Sequence, residues 1–156
     1  MIKTKLLLKL LCCLLSLSIQ AQNTKRTLLP AQYASIKTGD TLTLRQMLNE
    51  GVPVDAAEED GKTLLMKAAA KGDLAQIKFL LEAGADVEQK SNKGYTPLYY
   101  AASENQKEAI DMLLKAGADL NKKGPLGLSI TAEISFFHNL TMTRYLLEKG
   151  AKVDEK

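Results

Sequence analysis

Few residues in this 156-residue chain could carry chemistry. The single histidine, His138, has the side chain of a general base or a metal ligand. A metal site needs several N, S or O donors at suitable spacing, and here only carboxylates could join it. The two cysteines, Cys12 and Cys13, sit side by side in an apolar N-terminal run, far from His138 in the sequence. Residues 56–63, AAEEDGKT, end like a phosphate-binding loop but lack its first glycine. They also place Glu58, Glu59 and Asp60 where a phosphate would sit, and like charges repel. Asn139-Leu140-Thr141 has the spacing of a glycosylation acceptor, and Asn139 equally suits the start of a helix. No catalytic residue, metal site or cofactor site is expected from this set.

The residues that recur are structural ones. Residues 60–90, DGKTLLMKAAAKGDLAQIKFLLEAGADVEQK, contain two short helical patterns separated by fixed breakers. Asp60-Gly61 forms a turn, and Thr63 stands at an N-cap position before an Ala-rich helix from Leu64 to Ala70. Gly72 ends that helix. Leu74, Ile77, Leu80 and Leu81 then recur at helical spacing until Gly84. Isolated helices below about 12–15 residues are marginal in water, so such a unit needs neighbours. The same pattern returns 33 residues later, and Gly51, Gly84, Gly117 and Gly150 keep that spacing. A period of this size marks a stacked helical array. His138 falls in register with Gly39, Gly72 and Asn105, where a first helix ends and a positive φ is common. Asp86 and Asp119 are separated by one repeat, about 10 Å of stacked helix, which argues against a catalytic pair.

These residues resemble the ankyrin repeat, whose unit runs turn, Thr-Pro-Leu-His, short helix, Gly, second helix with Leu-Leu, and Gly-Ala-Asp. The match is strongest at Thr96-Pro97-Leu98, Ala101-Ala102, Leu113-Leu114 and Gly117-Ala118-Asp119. The resemblance implies an all-α solenoid of about four helix–loop–helix repeats, near 30–57, 58–90, 91–123 and 124–156. Met66 and Tyr99 replace the family's His, which bonds within and between repeats. Met66 is expected to lose that bond and Tyr99 to replace it in part. In the last repeat Ser129-Ile130-Thr131-Ala132 and Ile134-Ser135 replace Thr-Pro-Leu-His and Ala-Ala, and Ile134-Ser135 is expected to fit that repeat's core poorly. The first and last repeats diverge as terminal caps with polar outer faces would.

Composition fits this reading. Hydrophobic residues make up 46% of the chain but aromatics only 5%, so Ala and Leu, both members of Leu80-Leu81, Leu113-Leu114 and Leu146-Leu147 included, are expected to fill most inward positions. The net charge of +3 comes from Lys3, Lys5 and Lys9; the other 18 basic residues equal the 18 acidic ones. That balance gives no reason to expect nucleic-acid binding. The N-terminal stretch has a basic start, an apolar run from Leu10 to Ile19, and Ala21 before Gln22. This is the pattern of a secretory signal peptide spanning 1–21, followed by a polar linker over 22–29. Export to the periplasm or beyond is expected, without stable membrane insertion after cleavage; an uncleaved N-terminal anchor is the alternative. Both cysteines would leave with the signal, so no disulfide is expected.

The resemblance also implies a function. Ankyrin repeats hold other proteins on a concave face, so a non-enzymatic, monomeric binding module is expected. A periplasmic stress-protective or toxin-neutralising factor, and a small-ligand protein, are the alternatives. The family's contact positions map to Glu59, Asp60, Lys62, Ala70 and Lys71; then Asn92, Lys93, Tyr95, Ser103 and Glu104; then Pro125, Leu126, Leu128, Phe136 and Phe137. The set is charged at one end and apolar at the other. Phe136 and Phe137 admit two placements, on the docking surface or inside the last repeat.

Overall fold

The structure, a computed structural model, describes residues 40–136 and 139–153. The expected signal segment, the linker, the opening helix of the first repeat, Phe137 and His138 lie outside the described residues. The described residues form seven helices: α1 (Thr41–Asn49), α2 (Leu64–Lys71), α3 (Leu74–Glu82), α4 (Pro97–Ser103), α5 (Lys107–Lys115), α6 (Ile130–Phe136) and α7 (Leu140–Glu148). Helix α1 is the second helix of the first repeat, and three helix pairs follow it. Their starts at Leu64, Pro97 and Ile130 are 33 residues apart. Among the described residues there is no strand, and one isolated β-bridge joins Ala57 and Thr63 at a turn.

Local chemistry sets each boundary. The Thr63 hydroxyl accepts the Met66 N–H at 3.3 Å, as its N-cap position requires. Asp40, Asp73 and Asn139 cap α1, α3 and α7 in the same way, accepting from Thr43, Gln76 and Met142. Thr96 makes no such side-chain bond; α4 begins instead on Pro97, whose fixed φ suits a first turn. Gly72 ends α2 at φ 68°, and Asn105 reaches φ 61° at the same register, as that position implied.

The helices stack in two rows. Helix α2 packs on α4 and α4 on α6, while α3 lies between α1 and α5. The core follows the repeat: Leu65, Ile77 and Leu80, then Leu98, Ile110 and Leu113, then Ile134, Met142 and Leu146 are all buried. Ala68-Ala69 and Ala101-Ala102 are buried too, letting the first helices approach closely. Arg45 of α1 lies over the Phe79 ring of α3 at 5.1 Å from its centroid, closing the outer row with a cation–π contact.

Three expectations need correction. Met66 does not lose its polar contact entirely, because its sulfur accepts the Thr63 N–H at 3.5 Å, weakly, as a thioether does. Ile134-Ser135 fits rather than failing to fit: Ile134 is buried and the Ser135 hydroxyl bonds that of Thr143 at 3.1 Å. Of each Leu-Leu pair only the first member is fully buried. Leu81 and Leu114 are half-buried and Leu147 is exposed, and Leu74 also sits at the rim.

Leu113→Asp should therefore abolish the cooperative thermal transition followed by circular dichroism, a loss above about 4 kcal/mol, because it buries an unpaired charge. Leu114→Asp should keep a transition. A wild-type melt for Leu113→Asp would show that the helical register is wrong.

Candidate functional site

Successive loops are stitched together by one repeated hydrogen bond. The Asp55 carboxylate accepts the Asp86 N–H at 2.9 Å, Glu88 accepts the Asp119 N–H at 2.7 Å, and Asn121 accepts the Lys152 N–H at 2.8 Å. Asp86 and Asp119 meanwhile accept from the backbones of Glu88 and Asn121. These aspartates are loop residues. Burial pushes the Asp55 carboxyl up, against the lowering effect of its bond from Asp86. The turn tips are joined as well: Asn92 donates its side-chain amide to the Glu59 carbonyl and its backbone N–H to that of Asp60. Residues 56–63 thus form a repeat turn, in which Glu58 accepts from Lys67 at 2.5 Å.

On this scaffold the third repeat presents three tyrosines. Tyr95 stacks on Tyr99 with centroids 3.9 Å apart and planes 13° apart, and Tyr100 stands edge-on to both. Such aromatic pairs add about 0.5–1.5 kcal/mol beyond the area they bury. The Tyr100 hydroxyl bonds Ser91 at 3.1 Å, and Lys62 lies over the Tyr100 ring at 5.7 Å. These tyrosines, with Lys62, Lys93, Ser103, Ile134 and Asn139, line an open cavity of about 420 Å³.

Lys62 also pairs with Asp60 at 2.8 Å. Its hydrogen bond to Asp60 holds the ammonium above its ordinary range. Burial raises the Asp60 carboxyl, but the hydrogen bonds from Lys62 outweigh it and leave the group below the usual carboxylate range. Burial, followed by its neighbour Tyr95, pushes the Tyr99 phenol above its ordinary value.

The structure gathers some of the expected contact residues and scatters the others. Lys62, Lys93, Tyr95 and Ser103 share the tyrosine-lined cavity. Glu59 and Asn92 line a second depression, of about 570 Å³, with Lys90 and Gln89. Lys71, Glu104 and Pro125 are exposed outside both, as are Leu126 and Leu128, while Ala70 is half-buried. Phe136 is 79% exposed, so it belongs to the surface rather than the core of the last repeat. Tyr99, Tyr100, Ile134 and Asn139 were not among the expected contacts. The adjacent Tyr99-Tyr100 pair was the available signal, since two neighbouring aromatics on one helix cannot both face the core equally.

A family model described as ankyrin repeats, three copies, matches residues 31–124. The chain belongs to the ankyrin-repeat family. Among curated proteins none matches it. The fourth repeat lies beyond the matched span, and α6 and α7 continue the same stacking there. Ankyrin repeats are in general protein–protein interaction modules, typically without catalytic activity, and imply protein partners. Among the described residues no helix is long and apolar enough to cross a membrane, and no group of His, Cys, Asp or Glu is placed to hold a metal ion.

The raised Tyr99 phenol has a spectroscopic consequence. In an alkaline titration of tyrosinate absorbance, Tyr99→Phe should remove amplitude from the latest-ionising part of the curve. Loss from the earliest part would contradict the burial of that hydroxyl.

Proposed function

We propose that this ankyrin-repeat protein is an exported binding module that holds a protein partner on the face formed by its turn tips and first helices. The observation that carries the reading is the tyrosine-lined cavity, with Lys62 and Lys93 on it. Tyrosines bury large area with few rotors, and anchors of this kind dominate binding energy at interfaces. Lys62 and Lys71 contribute positive charge at one end, and Leu126, Leu128 and Phe136 extend the surface in apolar form at the other. The docking surface on this reading comprises Glu59, Asp60, Lys62, Lys71, Asn92, Lys93, Tyr95, Ser103, Glu104, Leu126, Leu128 and Phe136, with Phe137 beside it in sequence.

Export is part of the proposal and rests on the sequence pattern of residues 1–21. A mature chain without cysteine would depend on stacking alone for its stability.

Capture of partners from the native compartment by the tagged protein tests the docking surface. Phe136→Ala and Lys93→Glu should each weaken the captured complex, by about 2 kcal/mol or roughly 30-fold in Kd for the aromatic anchor, without lowering the melting temperature. Unchanged capture by both variants would remove the surface from consideration. Intact mass of the protein purified from its own cells should show the first 21 residues gone, and a cytoplasmic product beginning at Met1 would refute export.

A further inference from the structure

One position of the repeat is filled differently in each copy. Residues 67, 100 and 133 are equivalent, each lying in a first helix, and residues 58, 91 and 124 are equivalent in the turns that precede those helices. In the second repeat Lys67 donates to Glu58, and in the third the Tyr100 hydroxyl bonds Ser91 at 3.1 Å. Both contacts span nine residues and tie the first helix to its own turn. In the fourth repeat the helix residue is Glu133 and the turn residue is Gly124, which has no side chain to offer. A Cβ built on Gly124 would collide with the Glu133 carboxylate, so that carboxylate fills the space the turn residue occupies in the other repeats.

Glu133 is only 4% exposed, and neither of its carboxylate oxygens has a hydrogen-bond partner. It borders a cavity of about 20 Å³ where α6 meets the third repeat. The titratable and charged groups on that cavity are Tyr95 and Tyr99 from the third repeat, and Asp119, Lys122 and Lys123 from the loop between α5 and α6. The Lys122 ammonium is engaged by Glu88 of the preceding repeat and Asp119 accepts from the Asn121 backbone in its own loop, so both have partners away from Glu133. Ionising a buried carboxyl without a compensating bond is costly, because water's solvation of the anion is lost.

We propose that Glu133 is a proton-linked lock on the terminal repeat: α6 stays packed against α4 while the Glu133 carboxyl is protonated, and its ionisation loosens that junction. Burial raises this carboxyl above its ordinary value of 4.5. The folded state therefore holds the proton in a window where the unfolded chain has released it. Stability from this group is complete below 4.5 and is lost as the pH rises through that window. This is opposite to the behaviour of a carboxylate held low by a salt bridge, such as Asp111, whose bonds from Lys149 and Tyr145 lower it. A terminal repeat contacts one neighbour only, so a weakened junction acts there first. Tyr95 and Tyr99 line both this cavity and the docking cavity, so the lock bears on the proposed binding surface.

The test compares the full chain with its Glu133→Gln variant, which keeps the shape but cannot ionise. Thermal unfolding and amide exchange, corrected for intrinsic rates, are followed from about pH 4 to about pH 8. The wild type should lose α6 protection relative to α2 as the pH rises, by up to about tenfold per pH unit inside the window, while Glu133→Gln stays flat. Parallel pH profiles for the two proteins would overturn the proposal. A carboxyl NMR titration of the wild-type chain decides the matter even if the variant folds poorly. A midpoint for Glu133 above 4.5 is expected, and one at or below 4.5 would refute the lock.

Discussion

The helices here are seven to nine residues long, too short to persist alone, and everything else follows from the need to stack them. Each pair buries one side in its own repeat and the other against its neighbour. The chain must therefore return to the same conformation every 33 residues, or the apolar faces would not meet. Small side chains at Ala68, Ala69, Ala101 and Ala102 permit the close approach of the first helices. Larger residues at Ile77, Leu80, Ile110 and Leu113 fill the space behind them.

Apolar stacking does not set the register by itself, because Leu and Ala make non-directional contacts. Direction comes from the polar ladder along the loops. Asp55, Glu88 and Asn121 each accept a backbone N–H from the next repeat, from three different side chains with one geometry. Each such bond contributes about 0.5–1.5 kcal/mol at most, less where solvent competes. Its larger effect is geometric, since a slipped register would break every rung together. Beside the ladder, the α5–α7 junction is held by Tyr145, whose hydroxyl donates to Asp111 at 2.7 Å and whose ring is flanked by Lys107 and Lys149.

A repeating scaffold frees some positions to vary, and the chemistry of this chain changes there from repeat to repeat. The column holding Lys67, Tyr100 and Glu133 keeps its place while its chemistry changes from ion pair to neutral bond to unpartnered acid. The neighbouring column holds Met66, Tyr99 and Ala132, and its tyrosine forms the stacked wall with Tyr95. The tyrosine-lined cavity and the buried carboxyl are thus two sides of one irregularity at the junction of the third and fourth repeats.

The sequence alone determined the period, the helix order, Thr63 and Asn139 at helix starts, and the left-handed turn at Asn105, because these depend on neighbours within a few residues. It also led to the ankyrin family through Thr96-Pro97-Leu98 and the Gly-Ala-Asp endings. Tertiary structure decided what depends on the side chains of another repeat. Leu113 rather than Leu114 became the core residue because the facing helix covers only one side of α5. Phe136 faces outward because Ile134, Met142 and Leu146 already fill the last repeat. Glu133 lost its partner because Gly124 stands where the other repeats have Glu58 and Ser91, a pairing that emerges only when the turn folds back on its helix.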